Sequence, residues 1–265
     1  MGPMTPAKAY GLLRSLAMYY GVPGRGRRLE RFYSELLPPN ALCFDVGAHV
    51  GNRVRAWRRL GARVVALEPQ ADFARLLVRF FGADPAVTVV EAAVGREPGR
   101  APLHVSARTP TVSTLSADWI ATVRHDPSFS RVRWSSGETV EVTTLDRLIE
   151  RFGRPDFVKI DVEGYEAEVL AGLSTPVPAL SFEYVAAARG IALECVERLG
   201  ALGRYVFNFS PGERHVLGAS EWLDADGIRA FLENLPDGPG SGDVYARAID
   251  ARAADGAVSA SRAAS

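Results

Sequence analysis

Residues 43–52 read CFDVGAHVGN: a short apolar run, an acid, then two glycines four apart at the start of a helical pattern. In an open parallel sheet, ligands sit beyond the carboxyl ends of the strands, where a strand hands over to its helix. Gly47 can take a positive φ or let a ligand approach the backbone, and Gly51 permits close packing of helix against strand. The spacing is GxxxG, not the GxGxxG that brings a helix N-terminus against a pyrophosphate. Asp45 would also set a carboxylate beside any phosphate, whereas a ligand bearing an amino group and a sulfonium would be attracted to it.

The next apolar run ends in LEP, and Glu68 lies 23 residues beyond Asp45. An acid at the end of a second strand can accept both hydroxyls of a ribose through its two oxygens. A cationic sulfur at the turn and a ribose at Glu68 together indicate S-adenosylmethionine. The third run, VTVVEAAV at 87–94, would line the adenine with backbone contacts from Glu91 to Val94 at its end. His49 lies inside the turn and is a candidate contact to cofactor or acceptor, as Asn52 is where the helix opens.

Working outward, the runs ALCFDV, ARVVALE, VTVVEAAV, FVKIDV and ALSFEYV alternate with helical patterns at 53–60 and 72–81. Short apolar runs of this kind are buried parallel strands, and their alternation with helices predicts a doubly wound, Rossmann-like α/β sheet. Residues 1–40 carry helical spacing over 7–20 and 27–37 and are expected to form an N-terminal helical cap. Residues 41–247 form the main domain, with an insertion near 104–138. Further on, 191–202 and 224–235 read as helices and 204–210 as a strand. Residues 248–265 have small and polar side chains without periodicity and are expected to be disordered.

The fourth run, FVKIDVEGYEAEVLAG, brings Asp161 and Glu163 to a strand's carboxyl end, and Glu183 ends the fifth. Alkyl transfer to an alcohol requires an aligned nucleophile and a group that takes its proton, so carboxylates at this edge are catalytic candidates. Lys159, two residues before Asp161, shares its strand face and could hold it ionised as an ion pair. A divalent cation on the same three acids is the weaker expectation. Glu166 and Glu168 read as acids on the surface of the following helix, favoured by its dipole. His49 and His125 are candidate bases; His104 and His215 read as structural or exposed.

The chain carries 31 basic and 31 acidic residues, so no global charge attracts nucleic acid. The local run Arg25, Arg27, Arg28 and Arg31 reads as a solvated helix face, with anion binding as its second meaning. With 47% hydrophobic and 23% charged residues and no apolar run of about 18, a membrane span is not expected. Cys43 and Cys195 have no zinc or redox spacing and read as buried thiols. The first twenty residues lack the features of a signal peptide, and a cytoplasmic location is the expectation.

These residues resemble the FkbM-type methyltransferase family, a Rossmann-like class I branch of the S-adenosylmethionine enzymes. The resemblance runs from FDVGAHVGN through LEPQADFARLL, VVEAAVG, VSTL and KIDVEGYEAEVLAG to GDVYAR, over roughly residues 30–247. It implies a seven-stranded sheet and cofactor contacts at Asp45, Gly47, Glu68 and Ala92–Ala93, with Gly51, Asn52 and Asp161 beside them. It also implies methyl transfer to a hydroxyl of a sugar, polyketide or other secondary metabolite. His49 stands where the family commonly has Asn. N-methylation of an amine or guanidine is the near alternative; an NAD-dependent oxidoreductase and a catalytically silent binding module are the alternatives from other classes. A small-molecule acceptor is the expected partner, and a homodimer is compatible with the sequence.

Overall fold

The computed structural model describes residues 5–236 and 240–249. The chain begins with helices α1 (Pro6–Tyr20) and α2 (Arg25–Ser34) and enters the sheet at β1 (Leu42–Val46). It continues through α3 (Asn52–Arg59), β2 (Arg63–Leu67), α4 (Ala71–Phe81), β3 (Val87–Val90), β4 (Ala93–Val94) and β5 (Gly99–Val105). After α5 (Ala117–Val123), β6 (Ser135–Thr143) and α6 (Leu145–Phe152) come β7 (Phe157–Ile160), α7 (Glu166–Ala171) and β8 (Ala179–Val185). The last elements are α8 (Arg189–Leu202), β9 (Tyr205–Pro211), α9 (Ala225–Glu233) and β10 (Ser241–Ala248).

Seven strands form one sheet in the order β3-β2-β1-β7-β8-β10-β9. The first five run parallel, while β10 pairs antiparallel with both neighbours. Every residue of β1 and β7 is buried, as befits central strands covered on both faces. Alternate side chains of β1 divide between two cores. Leu42, Phe44 and Val46 join Leu148, Leu170 and Val196, whereas Cys43 joins Tyr33, Trp57 and Leu77. This is the doubly wound class I methyltransferase arrangement, with strand order reversing between β1 and β7. Both cysteines are free and buried.

A second sheet, β4-β6-β5, stands beside the first. The run 87–94, expected as one strand, divides here because the Ala92 N–H turns back to the Val90 carbonyl at 3.0 Å. Ala93 then pairs with Val142 in the smaller sheet. The expected insertion thus lies along β5, α5 and β6. At the C-terminus, Ala248 still belongs to β10; residues 250–265, the bulk of the tail expected to be disordered, lie outside the described residues. No helix among the described residues is long and apolar enough to cross a membrane.

Candidate active site

The bend after β1 is tied to the end of β2. The N–H groups of Gly47 and Ala48 both donate to the Leu67 carbonyl, at 3.0 and 2.9 Å, and the Asp161 N–H donates to the Val46 carbonyl at 3.0 Å. Gly47 has φ +86°, and a Cβ there would collide with the Asp161 carbonyl. Only glycine lets the ends of β1 and β7 approach so closely. The gap they leave opens into a cavity of about 790 Å³ whose walls include Gly47, His49, Glu68, Asp161 and Glu163.

Glu68 is 2% exposed, and its carboxylate is held in place by the backbone. One oxygen accepts the His49 N–H at 2.9 Å and the other the Gln70 N–H at 2.8 Å. Burial raises its pKa to about 7 despite these two bonds. Each oxygen retains a lone pair for a further donor. His49 adopts φ +48°, a conformation rarely seen outside glycine, and stacks on Phe73 at 4.3 Å between ring centroids. Burial lowers its pKa to about 4, so the ring is neutral, and neither ring nitrogen has a hydrogen-bond partner. Unpaired polar atoms on a pocket wall fit a polar ligand that supplies the partner.

A charged network adjoins the cavity, and Asp161 and Arg53 reach its wall. Lys159 is fully buried, with its Nζ 2.8 Å from Asp243 and 3.3 Å from Asp161. Arg53, 7% exposed, adds a second cation at 3.7 Å from Asp161 and 4.0 Å from Asp243. Beside them, Asp161, Glu163 and Glu183 bring carboxylate oxygens within 4.8 Å of one another. Burial and then the neighbouring acids push Glu163 and Glu183 well above the ordinary carboxylate range. A divalent cation on this triad would meet Lys159 and Arg53 through the shared Asp161. One proton shared between the two glutamates relieves their repulsion without that conflict and leaves one carboxylate able to act as a base.

The expected site residues divide accordingly. Gly47, His49, Asn52, Glu68, Ala92, Ala93, Asp161 and Glu163 all line the cavity. Asp45 is 2% exposed beneath the bend and is not on the cavity wall; burial raises its pKa to about 6. Gly51 faces the side chains of Leu77 and Phe81 and serves helix packing. Glu183 reaches the acid triad from β8 without lining the cavity. His125 is exposed and lines a separate recess with Arg124, Phe129 and Trp134, because α5 ends before it and carries it away from the bend. Glu166 is buried rather than on the helix surface: it turns inward to accept the N–H groups of Val162 and Gly164 at 3.1 and 3.2 Å. Glu168 stays outside and pairs with Arg96 at 2.8 Å.

Three contributors escaped the sequence reading. Tyr19 of α1 lines the cavity and meets His49 edge-on at 5.8 Å. In sequence it looked like one more apolar helix position. Arg53 looked like an ordinary first-turn residue of α3. Asp243 lies too far along the chain from Lys159 for any local pattern to connect them.

The Methyltransferase FkbM domain profile matches residues 45–186, just over half of the chain. No curated protein matches the sequence. Solved structures similar to this chain include precorrin-6Y C5,15-methyltransferase from Geobacter metallireducens GS-15, at 14% identity and TM-score 0.42, covering 83% of this chain and 86% of that one. A TehB-like SAM-dependent methyltransferase from Corynebacterium glutamicum shows 11% identity and TM-score 0.45, with 91% and 97% covered. An O-methyltransferase from Bacillus cereus in complex with SAH shows 12% identity and TM-score 0.44, with 93% and 92% covered.

Proposed function

The chain belongs to the FkbM methyltransferase family of S-adenosylmethionine-dependent enzymes, and on that premise we propose that it methylates a hydroxyl of a small polyhydroxylated acceptor such as a sugar or cyclitol. The observation that carries this reading is the carboxylate triad Asp161, Glu163 and Glu183 beside the cavity that Gly47 and Glu68 help to enclose.

S-adenosylmethionine, when bound, supplies an electrophilic methyl group. Glu68 offers its two free lone pairs to the ribose hydroxyls, and the bare backbone at Gly47 admits the amino-acid portion. Tyr19 and His49, the latter backed by Phe73, form an aromatic wall that keeps water from the reacting atoms. An alcohol must lose its proton as the new bond forms, and a carboxylate with raised proton affinity is the better acceptor. Glu163, on the cavity wall, takes the proton; Glu183 and Asp161 tune its readiness to do so. Asp161, paired with Lys159 and Arg53, is the orienting hydrogen-bond acceptor for the hydroxyl.

The test is a methyl-transfer assay over a panel of sugars, cyclitols and their amino analogues, with the methylated atom located by NMR. Methylation at oxygen, slowed in Asp161→Asn with S-adenosylhomocysteine affinity retained, supports the reading. Methylation only at nitrogen would replace it with the amine alternative. Binding of NAD without S-adenosylhomocysteine would reject it.

A further inference from the structure

We propose that the acceptor carries a phosphate or diphosphate, held in an arginine-lined groove that adjoins the methyl-transfer cavity; this deepens the reading above and rests on it. The groove, of about 760 Å³, lies between α2 and α3 and shares Tyr19 and Asn52 with the principal cavity. A ligand in one is therefore in reach of the other across the Tyr19 ring.

Four arginines line the groove: Arg25 and Arg27 from the first turn of α2, and Arg55 and Arg59 from α3. Two of them are neutralised by the protein. Arg25 pairs with Glu213 at 2.9 Å and Arg59 pairs with Glu30. Arg27 and Arg55 have no carboxylate partner among the described residues. Arg55 instead lies over the Tyr20 ring at 5.6 Å, and the Tyr20 hydroxyl is spent on the Val50 carbonyl at 2.9 Å. Stacking of this kind fixes the guanidinium plane and leaves its N–H edge free.

The two free cations also sit in an unfavourable local field. The first turn of α2 has no acid and no side-chain cap, so its own partial positive charge adds to theirs. A chain with 31 basic and 31 acidic residues has acids enough to pair every cation, yet this concave face keeps an excess of positive charge. A bound anion removes the conflict. Planar donors from two helices lining one groove suit the several oxygens of a phosphate better than a lone carboxylate. The opposite polarity of the two cavities then orders the acceptor: hydroxyl toward Glu163, anionic group toward Arg27 and Arg55. The balanced overall charge favours a small phosphate ester over a nucleic acid.

The test is calorimetric titration of inorganic pyrophosphate into protein already saturated with S-adenosylhomocysteine. The parent should bind it, more weakly as salt is raised, and the Arg27→Ala/Arg55→Ala double variant should bind at least tenfold more weakly with unchanged S-adenosylhomocysteine affinity. Both side chains are exposed, so the fold survives their removal, and Arg55→Lys, which keeps charge but loses the fork, should fall between. No pyrophosphate binding by the parent, or equal binding by the double variant, overturns the proposal. So does an equal loss of S-adenosylhomocysteine affinity, which would assign the groove to the cofactor, or displacement of pyrophosphate by submicromolar RNA oligonucleotide. Failure of S-adenosylhomocysteine to bind the parent would instead reject the methyltransferase reading, and the pyrophosphate result would still be read separately. With an active acceptor in hand, the double variant should raise KM for its phosphate ester at least tenfold, leave kcat within twofold, and leave the unphosphorylated parent compound unaffected.

Discussion

Lowering the pH should weaken cofactor binding through one identifiable carboxylate. In the free protein Glu68 titrates at about 7, raised chiefly by burial. Ribose hydroxyls donating to both oxygens stabilise the ionised form, so the pKa in the complex falls toward the ordinary value of about 4.3. Between pH 7.5 and pH 6 the free protein then takes up a proton that the complex does not. The linkage works out to a loss of roughly eightfold in affinity, ~1.2 kcal/mol. Calorimetry with S-adenosylhomocysteine at the two pH values measures the loss directly. Repeating the pH 6 titration in two buffers of different ionisation enthalpy counts the proton released on binding, expected to be close to one. Glu68→Gln should bind about 10- to 100-fold more weakly at pH 7.5, through loss of charge-assisted hydrogen bonds, and its affinity should be nearly flat over the same range. A flat profile in the parent, or an undiminished slope in Glu68→Gln, refutes the assignment of the ribose to this residue.

Gly47→Ala forces a Cβ into the Asp161 carbonyl at a positive φ, and chemical denaturation should show a loss of at least about 2 kcal/mol together with abolished cofactor binding. Lys159→Met leaves Asp243 and Asp161 with Arg53 as their remaining cation and should cost about 3–5 kcal/mol by the same measurement. Glu183→Gln relieves repulsion among the acids, so at pH 8 it should raise the Tm of the ligand-free protein while lowering kcat. Asp45, Glu68 and Glu166 have folded pKa values of about 6, 7 and 7, each raised first by burial. A carboxyl raised on folding binds its proton more tightly in the folded chain, so its contribution is full below the unfolded value near 4 and is lost as pH rises through 6 to 7. Thermal melts of the ligand-free protein should therefore show Tm falling from pH 5 to pH 7.5, less steeply in Glu68→Gln.

What the sequence made legible was whatever has a short period or a local constraint. The buried runs at 42–46, 63–67, 157–160 and 179–185 declare themselves by composition, and the bend at Gly47 by an acid and a glycine following an apolar run. Cavity residues such as Glu68 and Asp161 were readable because a strand's carboxyl end fixes where they must lie. Asp243 was not, since its meaning depends on β10 sliding between β8 and β9, a pairing set by long-range register rather than by any nearby pattern. Glu166 was misread because a helix-start acid normally faces water. Here the loop before α7 has half-buried N–H groups at Val162 and Gly164 that need an acceptor, and that need outweighs the helix dipole. His125 illustrates the converse: a titratable residue in an insertion has no positional constraint, so its chemistry said nothing about its place.

The dependence of Lys159 on Asp243 bears on how the enzyme comes into being. The bend, Glu68 and the acids Asp161, Glu163 and Glu183 all lie within the first 183 residues, yet the Lys159 ammonium finds its closest counter-charge only when β10 is made and seated. Without that strand, Lys159 and Arg53 keep Asp161 as a counter-charge but lose Asp243. Assembly of the site is thereby tied to the seating of β10 between β8 and β9.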